Sequence, residues 1–115
     1  MHEPHCLRVA ERDGAMIVGI LESRVHDEMG ISLGEELQAI AARPDCRKLI
    51  INLSGVEFVT SAMLGKLLST NRRMAEKGGT MLLCEIGENL HTVFRITKLE
   101  NILEICETEA DALAR

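Results

Sequence analysis

Two short apolar runs open the chain, Cys6–Ala10 and Ala15–Leu21, both rich in residues that favour pleated backbone. Between them Asp13–Gly14 is a dipeptide suited to a tight hairpin turn, so the pattern predicts an opening β-hairpin. The stretch Arg24–Gly30 is polar, with charges of both signs, and reads as a loop. Beyond it Leu33, Leu37, Ile40 and Ala41 recur at helical spacing. Ser32 with Glu35 three residues later matches a capping box, which starts this helix at Leu33. Pro44 stops it, having no N–H to donate and biasing Arg43 toward extended backbone.

The next run, Lys48–Leu53, is almost continuously apolar and β-branched, as a strand covered on both faces would be. A polar turn at Ser54–Gly55 leads through Val56–Val59 to Thr60–Ser61. From Ala62 to Lys77, Leu64, Leu67, Leu68 and Met74 follow a helical period, and Gly78–Gly79 close the helix. Thr80–Cys84 reads as a strand, Glu88–Ile96 as an amphipathic helix, Ile102–Ile105 as a strand, and Thr108 onward as a final helix. Strands alternating with helices imply parallel pairing at Leu49, Met81 and Leu103, while the hairpin adds antiparallel pairing. The expected fold class is α/β: one domain over residues 1–115, with a mixed sheet of four to five strands and about four helices.

Composition narrows the function more than the fold. Apolar residues are 46% and charged residues 27% of the 115, a balance that supports a buried core. The formal net charge is −5, and the 13 Lys and Arg residues are scattered, so no basic stripe exists to meet phosphates. Phe58 and Phe94 are the only aromatics, too few to stack successive bases. Nucleic acid is therefore not an expected partner. No apolar stretch approaches the roughly 20 residues of a membrane span, and the segment MHEPHCLRVAERDG has neither the basic nor the apolar region of a signal peptide, so a cytoplasmic location without membrane association is expected. Cys6, Cys46, Cys84 and Cys106 are widely spaced and expected to be reduced thiols.

Candidate chemistry is sparse. His2, His5 and Cys6 are metal-ligating types, but they lie near the chain start with no second ligand cluster, so no metal is expected. Glu22, Asp27 and Glu28 are acids in one polar stretch with nothing to fix their separation. Neither GxGxxG nor GxxxxGK occurs, so no nucleotide motif is present. Catalytic residues and cofactors are accordingly expected to be none.

The run KLIINLSGVEFVTSAMLGKLL resembles the signature of the STAS family, the sulfate-transporter and anti-sigma-factor-antagonist domains, in which a central strand leads to an aspartate-serine turn that opens a helix. The later stretch GGTMLLCEIGENLHTVFRITKLENILEI is also similar to that family, with Thr97–Lys98–Leu99 standing where threonine-glycine-leucine is usual. The resemblance implies a regulator, not an enzyme. It would bind an anti-sigma factor that is also a serine kinase, be released on phosphorylation, and be reset by a protein phosphatase. Matched residue by residue, Ser61 stands at the phosphoacceptor, Ala62 at the small residue after it, and Leu64–Gly65 at the leucine-glycine of the first turn. Thr60 replaces the usual aspartate and Met63 the usual glycine; Thr60 is the alternative acceptor. The implied partner surface comprises Thr60, Ser61, Ala62, Met63, Leu64 and Lys66, with His26 and Asp27 from the neighbouring polar stretch. A weak homodimer is compatible with this reading, and a scaffold subunit of a signalling assembly with no phospho-switch is the alternative. Independently of the family, a hydroxyl at this junction suits a helix N-cap, and the first free N–H groups of a helix favour negative charge.

Overall fold

The computed structural model describes residues 7–115, apart from the side chain of Asp27. Cys6, placed in the first predicted strand, and the His2–His5–Cys6 tract lie outside the described residues.

The hairpin forms as expected from β1 (Leu7–Arg12) and β2 (Ala15–Ile20), paired antiparallel from Leu7 opposite Ile20 to Arg12 opposite Ala15. Asp13 and Gly14 take φ values of 54° and 82°, the doubly left-handed turn that Asp-Gly accommodates. The remaining strands of the main sheet are β4 (Lys48–Asn52), β6 (Thr80–Cys84) and β7 (Glu104–Ile105); their numbers leave room for two short strands, β3 (Arg24–Val25) and β5 (Phe58–Val59), which pair separately. The main sheet runs β1-β2-β4-β6-β7, with every pair after the hairpin parallel. Leu49, Ile50 and Ile51 of β4 are each 0% exposed, so the continuous apolar run is the central strand, covered on both faces.

Helices α1 (Asp27–Ala41), α2 (Ser61–Glu76) and α3 (Glu88–Ile96) cover one face, where Val18, Leu49, Ile51, Met81 and Leu83 meet Leu37, Met63, Leu67, Leu90 and Phe94 in the larger core. The other face carries a smaller cluster, Ala15, Ile17, Ile50, Leu82, Cys84 and Cys106, closed by Ala112 of the six-residue α4 (Glu109–Ala114). Polar bonds fasten α4 at both ends. Glu85 accepts from the Glu109 N–H at 2.8 Å, and Thr108 caps by accepting from the Asp111 N–H at 3.0 Å. Lys48 Nζ donates to the carbonyls of Leu113 at 3.0 Å and Arg115 at 3.1 Å.

Two expectations need correction. The first helix starts at Asp27, not Leu33; His26 is its N-cap, and Ser32 lies exposed inside it. The polar Arg24–Gly30 stretch is thus a two-residue strand and the first turn of α1. Its glycine is a contact point and not a break: a Cβ on Gly30 would lie 3.3 Å from Met63 Cβ and from Thr60 Oγ1, and Gly34 one turn on leaves room for the Lys66 stem. The last predicted strand is shorter than expected, because a 3-10 turn at Leu99–Asn101 precedes it and β7 begins only at Glu104.

Candidate functional site

The site is built where two strand-to-helix units run side by side. β3 and β5 pair in parallel, Arg24 with Phe58 and Val25 with Val59, and each passes within one residue into a helix. Ser23 O accepts from the N–H groups of Glu57 at 2.6 Å and Phe58 at 3.0 Å, which fixes the register just before the pair. The N-caps, His26 and Thr60, are both in extended backbone, with ψ of 177° and 168°. The starts of α1 and α2 are therefore neighbours, and Gly30 permits their close approach.

Ser61 is the first residue of α2 and is exposed. The backbone N–H groups of that first turn have no intrahelical acceptor, so a negative group on Ser61 meets favourable dipoles there. Thr60 differs. It occupies the N-cap position, but its side chain makes no capping bond, and Oγ1 is buried without a hydrogen-bond partner among the described residues. The capping role open to either hydroxyl is thus taken by neither in its usual form.

Met63 is 0% exposed and packs in the larger core, so it offers no surface to a partner. The helix buries Met63, Leu67, Thr70 and Met74, a stripe that passes beside Leu64 and Leu68, which are half-buried flanks. Ala62 is half-buried, and Lys66 lays its stem over Gly34. His26 is exposed beside Thr60 in the paired units, and Asp27 opens α1. The fold thus gathers His26, Asp27, Thr60, Ser61 and Ala62 at one end of the paired helices and withdraws Met63.

One feature escaped the sequence reading. Phe58 is 39% exposed, its ring lying 5.0 Å beneath the Arg24 guanidinium and 6.3 Å from the His26 ring. The signal available was that Phe58 is one of two aromatics and stands on a strand too short to show periodicity.

The three described thiols are withdrawn from the surface. Cys46, Cys84 and Cys106 are free and buried. Burial pushes the Cys84 thiol up to about 12, helped by the charges of Glu109 and Glu85. Burial also raises Cys46, against the opposing charge of Lys77. Among the described residues, no helix is long and apolar enough to cross a membrane.

Comparison with known proteins agrees with this architecture. The family model described as STAS domain matches residues 8–112. An anti-sigma F factor antagonist from Paenibacillus polymyxa is 27% identical over 103 residues, 87% of this chain and 85% of that protein. Among solved structures, an anti-sigma-factor antagonist (STAS) domain protein from Planctomyces limnophilus superposes with a TM-score of 0.84 at 22% identity, covering 94% of each chain. The Bacillus cell fate determinant SpoIIAA in its phosphorylated form superposes with a TM-score of 0.72 at 14% identity, covering 95% of this chain and 97% of that one. The chain belongs to the STAS domain family.

Proposed function

With membership of the STAS family as premise, we propose that this chain is an anti-sigma factor antagonist whose hold on an anti-sigma factor is ended by phosphorylation of Ser61. The observation that carries the reading is that Ser61, the first residue of α2, is exposed, at the position that matches the acceptor of the STAS signature. The partner would be both anti-sigma factor and serine kinase, and a protein phosphatase would restore the unmodified form in the cytoplasm.

The surface that supports this reading is Ser61 with Thr60, Ala62, Leu64 and Lys66 of the α2 start, and His26 and Asp27 of the α1 start. Phosphorylation adds about −1.5 to −2 charges and three acceptor oxygens. On an exposed helix start that change leaves the fold intact, while a partner that had desolvated the neutral hydroxyl would have to bury a dianion. Recognition is thereby lost without unfolding. Ser61 is favoured over Thr60 as acceptor because Thr60 Oγ1 is buried against α1 and would have to leave that contact to reach a kinase. The reading contains no catalytic step in this chain.

The test is a pull-down from lysate of the source organism with wild-type, Ser61→Ala and Ser61→Asp baits. Retention of a kinase-type anti-sigma factor by the first two and its loss from the third supports the switch. If all three hold the same partners, Ser61 is part of a constitutive interface and the chain is a scaffold subunit.

A further inference from the structure

The two faces of the main sheet are covered unequally, and α4, which meets the hairpin only through the Ala15–Ile17 cluster and the Arg12–Glu109 pair among the described residues, leaves part of β1 open. Between them lies a groove of about 280 Å³. Its near wall is β1, where Arg8, Ala10 and Arg12 alternate onto the same face. The antiparallel register sets Arg8 opposite Gly19 and Ala10 opposite Ile17, and Ile17 is 6% exposed, so the floor is apolar and closed. Asn52 and Glu109 form the far wall.

The charges in this groove do not cancel. Arg12 stands 3.8 Å from Glu109, whose other oxygen accepts from the Asn52 amide at 2.8 Å. That carboxylate is thus matched to Arg12. Arg8 makes no ion pair or side-chain hydrogen bond among the described residues. Its guanidinium rests over β2, with Nη2 at 3.8 Å and Nε at 3.9 Å from where a Cβ of Gly19 would stand. Gly19 therefore provides the flat bed on which the guanidinium fork lies. In a chain of net charge −5, a cation beside an apolar floor, with the groove's lining acid Glu109 matched to Arg12 and no other acid paired to it among the described residues, is a local arrangement and not a general basic field.

We propose that this groove binds a small organic carboxylate, with its carboxylate on the Arg8 fork and its apolar body against Ala10 and Ile17. A guanidinium donates two parallel hydrogen bonds to a carboxylate, and the apolar floor selects a ligand with a hydrophobic body over a bare anion. The site lies on the face of the sheet away from α2 and is independent of Ser61.

Benzoate titrated into the ¹⁵N-labelled protein tests this, with inorganic phosphate and chloride at matched ionic strength as the other arms. The expected result is saturable shifts confined to residues 8–12, 17–19 and 52, weakened about tenfold or more in Arg8→Ala, partly restored in Arg8→Lys, and strengthened in Glu109→Gln, which removes the negative charge lining the groove. Wild-type spectra unmoved at about 20 mM benzoate, well above the affinity of a useful site, would overturn the proposal. So would equal binding by Arg8→Ala, or phosphate reproducing the benzoate shifts.

Discussion

At the scale of single residues, the junction before α2 is decided by two adjacent hydroxyls in opposite environments. Thr60 Oγ1 is buried with no partner among the described residues, and a buried donor left unmade costs about 1–3 kcal/mol of desolvation. Thr60→Val keeps the shape and removes the unmet group, so it is expected to leave stability unchanged or raise it, measured by urea unfolding. A loss of about 1 kcal/mol would instead reveal a working N-cap. Cys84 supplies a second residue-level expectation. Its folded thiol keeps its proton to about pH 12, whereas the reference thiol loses it near 9.0. Between those values the unfolded chain binds fewer protons than the folded one, so the stabilisation present below pH 9.0 is lost as pH rises through that window. The slope for one such group is about 1.4 kcal/mol per pH unit. Unfolding curves from pH 9 to 11 should therefore fall less steeply for Cys84→Ala than for wild type.

At the scale of elements, α2 and the turn after α3 each carry a position whose residue is not the best for the fold. A Cβ on Gly65 would meet nothing within 4 Å, and glycine inside a helix costs about 1 kcal/mol relative to alanine. Gly65→Ala is expected to stabilise by up to that amount in thermal unfolding. If it also weakens partner capture, Gly65 serves close approach of the partner at the α2 surface. After α3, Lys98 holds a φ of 63°, a left-handed conformation that costs a side-chain residue about 1 kcal/mol, so Lys98→Gly should raise the melting temperature by a few degrees. Such details show where the sequence was readable. The strand Lys48–Leu53, the helix Glu88–Ile96 and the glycine-closed helix before Thr80 were legible because long runs carry period and punctuation. The start of α1 was not, since Gly30 and the Ser32–Glu35 pair signal a boundary while the contact of Gly30 with Met63 overrides it. Of the expected α2 stripe, Leu67 and Met74 are buried while Leu64 and Leu68 are half-buried flanks; apolar residues span a wide arc, and only packing against α1 shows that Met63 turns inward. β3 and β5 were illegible as a pair, because two-residue strands have no periodicity. The reading of Ser61 as acceptor rests on the resemblance alone.

At the scale of the molecule, the sheet is buried by three helices on one side and by a single six-residue helix on the other. Ile50, Leu82 and Cys84 are each 0% exposed beneath that short cover. Deleting residues 108–115 would open them to water, and burial of such side chains stabilises by roughly 25 cal/mol per Å². The shortened chain is expected to bind a hydrophobic dye and to aggregate at concentrations where the full chain is monodisperse. The pairing of β3 with β5 has a different consequence. Because each strand enters its helix within one residue, the starts of α1 and α2 are joined as firmly as two teeth of one gear, with no slack segment between them. If Ser61 is marked as proposed, the paired starts offer no slack through which the mark would change the shape of the protein that carries it, so the message would be read by contact, and the burden of changing conformation would fall on whatever reads it.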